Sequence, residues 1–285
     1  MMRAKILLTI FIMLLYSVFS INIATTINPY YLIVKELVNN SANISVIIEP
    51  GENPHTYSPT INDIKKLRSA DLILANGLSL ELYLEDTLKD INNQNSNVLY
   101  VSDLIENLAN DVQKENSSHI NPHIWLSLDF MIEQIIPGLT DKLIEVDSAN
   151  KAFYRTSSEK LIEDLSKIRN SASTLLKDYK GTNVLLSHPS FKYFFTDFGI
   201  KEYAIFEGHG DEPTIKELRS FIEKANNGEF IAIFGEKQQN IEPVQVIVKS
   251  TNLNMGILDP LGVAAQNIVE LFIYNLKEIE EALNE

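Results

Sequence analysis

Beyond residue 20, short β-rich apolar runs alternate with longer stretches in which apolar residues recur every three or four positions. Asn22–Ala24, Ile44–Ile48, Leu72–Ala75 and Val98–Val101 read as strands, with helices expected near Pro29–Val38 and Pro59–Ser69. Strands separated by helical crossovers make a parallel sheet with helices on its faces. The helix after Ser58 begins with Pro59, which suits a first turn, and Ile61, Ile64 and Leu67 predict one buried face. From Asp147 to Tyr179 no Gly or Pro interrupts, and Leu161, Leu165, Ile168, Ala172 and Leu175 recur at steps of four and three. That pattern predicts one helix of about thirty residues, about 45 Å long. Its apolar stripe covers only about two heptads, so it suits a helix lying along both halves of the protein better than a coiled coil. A second series follows, with strands expected at Val184–Leu186, Tyr203–Phe206, Phe230–Phe234 and Gly256–Leu258. Helices are expected near Phe191–Phe198, Thr214–Ala225, Pro243–Thr251 and Val263–Leu283. The fold class is therefore α/β: a parallel-sheet lobe over residues 21–146, a long rigid linking helix over 147–180, and a second parallel-sheet lobe over 181–285.

The first twenty residues carry a different pattern. Arg3 and Lys5 precede an apolar stretch from Ile6 to Phe19, and Val18-Phe19-Ser20 has small or β-branched residues where a signal peptidase reads. This is the layout of an export signal, with an uncleaved N-terminal anchor as the alternative. The run is shorter than the roughly 20 residues of a spanning helix, and Asn22, Thr25 and Thr26 follow it.

Composition narrows the chemistry. With 45% apolar and 22% charged residues the chain can build a packed core. A formal charge of −14, with no compensating Lys/Arg cluster, repels phosphate backbones and argues against nucleic acid while favouring cations. The absence of cysteine excludes disulfides, thiolate metal sites, cysteine nucleophiles and a cysteine-linked lipid, so any metal must be held by His, Asp, Glu or neutral oxygen.

In open α/β sheets, ligands bind beyond the carboxyl ends of the strands. His188 directly follows Val184–Ser187, and Asp259 directly follows Gly256–Leu258. His55 lies a short loop beyond Ile44–Ile48, and His123 sits just before a helical stretch; both are written Asn-Pro-His, where Pro stiffens the approach. Two of these four come from each half, and three imidazoles with one carboxylate would close a tetrahedral zinc shell.

The runs Asn53-Pro54-His55-Thr56-Tyr57-Ser58-Pro59-Thr60, Ala70-Asp71-Leu72-Ile73-Leu74-Ala75-Asn76-Gly77-Leu78-Ser79-Leu80-Glu81 and Asn121-Pro122-His123-Ile124-Trp125 occur in that order. Ser187-His188-Pro189-Ser190-Phe191, Glu212-Pro213-Thr214 and Leu258-Asp259-Pro260-Leu261-Gly262 follow. Together they resemble the zinc- and manganese-binding receptor proteins of ATP-binding-cassette importers, over nearly the whole chain after residue 20. The resemblance implies two α/β lobes joined by a long helix, with a metal in the cleft between them, delivered to a membrane permease driven by an ATPase subunit. It implies His55, His123, His188 and Asp259 as ligands, and the third imidazole leans toward Zn2+ over Mn2+.

Further candidates are weaker. Glu236, after Phe230–Phe234, could orient a ligand His from behind. His119 and His209, the latter in the acidic stretch Glu207–Glu212, are expected as solvated loop residues or accessory ligands. Trp125 is read as packing. A zinc hydrolase is disfavoured because no His-Glu-x-x-His helix occurs and Asp259 would fill the position of a catalytic water. A surface adhesin stands as the other alternative. The expectation is an exported, monomeric receptor, periplasmic or at the cell surface, with no cysteine-borne lipid anchor.

Overall fold

The computed structural model describes residues 20–284 apart from 96, 107, 109–119 and 207–211. The segment read as an export signal lies outside them, but for Ser20. Among the described residues, no helix is long and apolar enough to cross a membrane.

The first lobe holds β1 (Ile21–Thr25), β2 (Ala42–Val46), β3 (Leu72–Ala75) and β4 (Val98–Tyr100), with α1 (Asn28–Val38), α2 (Ile61–Arg68) and α3 (Glu85–Asn95) as crossovers. The sheet is parallel, in the order β2-β1-β3-β4. β3, Leu-Ile-Leu-Ala, is buried throughout, as a central parallel strand covered on both faces must be. α2 starts with a complete capping box, Thr60 and Asp63 satisfying each other's backbone N–H. Its expected apolar face is corrected at one end: Leu67 is buried, whereas Ile61 is 78% exposed. Steps of three residues each fall about 60° short of a full turn, so Ile61 lies about 120° round the helix from Leu67.

One helical segment escaped the pattern reading, and the helical stretch expected after His123 is irregular. α3 buries little beyond Leu88 and Ile91 in an otherwise polar sequence. A one-turn helix, Leu128–Phe130, passes through a π-turn, Met131–Ile135, into α4 (Ile136–Val146), and Pro137 sits at its first turn.

α5 (Lys151–Leu176) is the long helix, 26 residues with single 3₁₀ turns at both ends, or about 39 Å. Tyr154, Ser158, Leu161, Leu165, Ala172 and Leu176 form its buried stripe. It packs on α1 and α4 of the first lobe and on the last helix of the second, so it braces both.

The second lobe repeats the topology. β5 (Asn183–Leu186), β6 (Lys201–Ala204), β7 (Ile233–Glu236) and β8 (Met255–Leu258) pair in parallel in the order β6-β5-β7-β8. α6 (Lys192–Asp197), α7 (Ile215–Asn226), α8 (Glu242–Lys249) and α9 (Ile268–Asn284) complete it. α7 repeats the capping box of α2, with Thr214 and Glu217. β7 lies two to three residues later than expected, because pairing with β8 extends to Glu236 opposite Leu258. A charged residue thus ends a buried strand at the cleft. The main apolar core runs through both lobes without a break, from Ile23 and Trp125 to Phe194 and Phe272.

Candidate metal centre

The two Asn-Pro-His sequences fold alike. Asn53 Oδ1 accepts the His55 backbone N–H at 2.9 Å, and Asn121 Oδ1 accepts that of His123 at 2.9 Å. Each Asn closes a side-chain turn over a Pro whose φ is already fixed, so the following imidazole leaves the loop in a set direction. Asn121 does more. Its Oδ1 also lies 2.8 Å from His123 Nδ1, its Nδ2 donates to Pro189 O of the second lobe, and its own carbonyl accepts from Tyr193 Oη at 2.9 Å. The Asn121 oxygen can only accept, so His123 Nδ1 carries the proton and Nε2 presents a lone pair.

The loop of His123 is held from below as well. Glu81 accepts from the N–H groups of Asn76 and Gly77 and from Thr26 Oγ1, and Asn76 Nδ2 donates to Pro122 O at 2.9 Å. Burial pushes the Glu81 carboxyl up, against the opposing pull of those donors. Gly77, Leu78 and Ser79 all take positive φ to wrap this carboxylate.

His188 follows β5, and its Nδ1 lies 3.6 Å from Glu236 Oε2. Glu236 is anchored by Ser190 Oγ, which donates to Oε1 at 2.9 Å. A buried carboxylate on that side favours the proton on Nδ1.

The three imidazoles meet between the lobes. His55, His123 and His188 are 8%, 3% and 5% exposed, with one ring nitrogen from each within 4.8 Å of the others. Ring centroids are 5.2, 5.1 and 4.8 Å apart. His55 Nε2 faces His123 Nε2 at 3.3 Å. Bonds of about 2.0–2.1 Å in a tetrahedral shell put neighbouring nitrogens about 3.3–3.4 Å apart, so this pair already spans one edge of such a shell. They enclose a cavity of about 10 Å³. That is room for one water-sized sphere or one small cation. Trp125 walls the site, its ring 5.2 Å from that of His123, and its Nε1 donates to Pro260 O at 2.8 Å.

Asp259 is not brought into this group. Its Oδ1 accepts from Gln238 Nε2 at 3.1 Å and from the N–H groups of Leu261 and Gly262 at 3.3 and 2.8 Å. Its Oδ2 accepts from Lys237 Nζ at 3.2 Å and from Val263 N–H at 2.8 Å. Five donors leave that carboxylate saturated. Glu236 stands beside His188, while His119 and His209 lie outside the described residues. Gln238 and Asn121 also line or brace the site, and pattern reading missed both. For Asn121 the repeated Asn-Pro-His was a usable signal; for Gln238 there was none.

Two braced lobes that converge three imidazoles on a space the size of one ion define a class: a cation receptor. The family of periplasmic zinc-uptake complex component A, ZnuA, matches residues 23–282, and the chain belongs to that family. A protein of Thermotoga maritima that carries a metal-binding designation is 36% identical over 280 residues, spanning 98% of this chain and 99% of its own. The manganese ABC transporter substrate-binding lipoprotein PsaA of Streptococcus pneumoniae is 26% identical, spanning 88% of this chain and 85% of its own. In structure, the periplasmic zinc-binding protein TroA of Treponema pallidum superposes with a TM-score of 0.82 at 19% identity, covering 93% of this chain and 100% of that one, which speaks to the fold. The family comprises substrate-binding receptors of importers, not enzymes, so the hydrolase alternative falls. Membership implies a metal ion and a membrane permease with its ATPase as partners.

Proposed function

We propose that this protein captures Zn2+ outside the cytoplasm, with Mn2+ as the second choice, and delivers it to the permease of an ATP-binding-cassette importer. His55, His123 and His188 are the ligands in this reading. The observation that carries it is the 3.3 Å approach of His55 Nε2 and His123 Nε2, with His188 closing the triangle. Three imidazoles favour zinc over manganese, which prefers oxygen. The fourth position falls to an oxygen. Asp259 could take it only by exchanging Lys237 for the ion at Oδ2.

Lobe motion in this reading is a small rotation. The common core and the bond from Asn28 Nδ2 to Leu261 O, 2.8 Å long, oppose a wide opening. The receptor acts as an exported monomer. Relatives such as PsaA are named lipoproteins, whereas these 285 residues offer no cysteine for a thioether-linked lipid. The adhesin alternative has no site residue attached to it, and the imidazole cluster supports the receptor.

The test is elemental analysis of protein purified without chelator, followed by calorimetry with zinc and manganese. Zinc is expected to bind one per chain and to protect against unfolding, and His188→Ala to weaken it by about a hundredfold or more. Zinc binding by His188→Ala as tight as that of the parent refutes the assignment.

A further inference from the structure

Asp197 is the last residue of α6, and a carboxylate at the carboxyl end of a helix sits at the unfavourable end of its dipole. Its hydrogen bonds explain why it stands there. Oδ2 accepts from Ser127 Oγ at 2.9 Å and from the Asp129 N–H at 3.3 Å, both in the first lobe. Ser127 is the N-cap of Leu128–Phe130, its Oγ accepting the Phe130 N–H at 3.0 Å, so its own hydroxyl proton goes to Asp197. The second lobe thus caps the start of a first-lobe helix, at the end where the dipole favours an acid. Arg169 of α5 pairs with Asp129 at 3.1 Å and offsets the charge of that neighbouring carboxylate.

The same helix reaches the other end of the segment that carries His123. Tyr193, four residues before Asp197 and so on the same face of α6, donates from Oη to Asn121 O at 2.9 Å, and Asn121 Nδ2 donates to Pro189 O. Pro189 itself follows His188. Between the two anchorages lies a 3₁₀ turn, Ile124–Leu126, in which the Leu126 N–H bonds to His123 O at 3.2 Å. Ile124, Trp125, Leu126 and Ser127 are wholly buried, and a close-packed turn passes a displacement at one end to the other. We propose that Asp197 is a positioning residue for His123: acting through Ser127 across the lobe boundary, it fixes the carboxyl end of the segment whose amino end Asn121 fixes. His123 and His188 then take their spacing from one stretch, Pro189 to Asp197, although they come from different lobes. The inference rests on the three-histidine reading above.

The measurements are zinc calorimetry in competition with a chelator and the visible bands of bound cobalt(II), which report the geometry of a zinc-type shell. Circular dichroism verifies that each variant folds. Asp197→Leu keeps the bulk of the side chain without an acceptor, and is expected to raise the zinc Kd about tenfold and to shift the cobalt bands. Asp197→Asn keeps an acceptor for Ser127 and is expected to restore the parent bands and most of the affinity. Ser127→Ala, which leaves Asp197 in place, is expected to reproduce the loss, and adding Asp197→Leu to it to weaken zinc by no more than about twofold further. If Asp197→Leu does not fold, Ser127→Ala decides alone. Parent affinity and parent bands in Asp197→Leu and Ser127→Ala overturn the proposal. So does an Asp197→Asn as weak as Asp197→Leu, or a double variant whose losses simply add, since Asp197 would then act by a route other than Ser127. His188→Ala separates this role from the site itself. If it binds zinc like the parent, the three-histidine reading fails; if it loses zinc while Asp197→Leu and Ser127→Ala match the parent, only the positioning role fails.

Discussion

Replacing Asn121 with Ala should weaken zinc binding without removing a ligand. Asn121 Oδ1 accepts two bonds from His123, from the backbone N–H at 2.9 Å and from Nδ1 at 2.8 Å, and Asn121 Nδ2 donates to Pro189 O across the lobes. The Nδ1 bond selects the tautomer that leaves Nε2 free for the ion, and the N–H bond sets the direction of the ring. Loss of such an orienting partner costs about 10–100-fold in metal affinity. That corresponds to about 1.4–2.7 kcal/mol. Three lost bonds at a net value of about 1 kcal/mol each should also lower the stability of the metal-free protein by about 2–3 kcal/mol. The assay is calorimetry in competition with a chelator of known affinity, with denaturant unfolding of the metal-free protein alongside. Asn121→Asp is the discriminating partner variant: it keeps the acceptor for His123 but loses the donor to Pro189. It should recover at least about tenfold of the lost affinity while remaining less stable than the parent. A zinc Kd for Asn121→Ala within about twofold of the parent would mean that Asn121 sets neither the tautomer nor the direction of the His123 ring.

Two further outcomes follow from the packing. Burial, with the Asp129 carboxylate close by, pushes the Asp197 carboxyl from its ordinary 3.8 up to about 7, against hydrogen bonds from Ser127 and the Asp129 N–H. The folded chain therefore holds that proton more tightly than the unfolded chain, and the stability it contributes at about pH 4 is lost as the pH rises through about 7. Denaturant titrations across that window should show a shallower decline for Asp197→Asn than for the parent; parallel declines would refute the assignment. Gly256→Ala should destabilise by about 1–3 kcal/mol. Its new Cβ would meet Glu278 O of α9 and the Phe234 ring, both at 2.9 Å, and the carbonyl is fixed in a helix. An unchanged thermal midpoint would count against the tight seating of β8 on α9.

The element types were largely legible in the chain because they rest on local periodicity. The long helix and the alternation of strand and helix follow from spacings of three, four or two residues. Glu85–Asn95 was not legible, since a helix that buries only one or two residues leaves no stripe. The end of β7 was misjudged because its partner β8, not its own sequence, determines how far pairing runs.

The site divides along the same line. Local residue order is enough to show which imidazoles leave strand ends and stiff Asn-Pro turns, and the lack of cysteine confines any metal to nitrogen and oxygen donors. Which of these groups meet is set by the packing of the two lobes. His55 and His123 are 68 residues apart in the chain and 3.3 Å apart in space, whereas Asp259 spends its carboxylate on its own loop and on Lys237 and Gln238. A donor's availability depends on every other polar group packed around it. Residue type and spacing carry the direction of a side chain, but not what has already satisfied it.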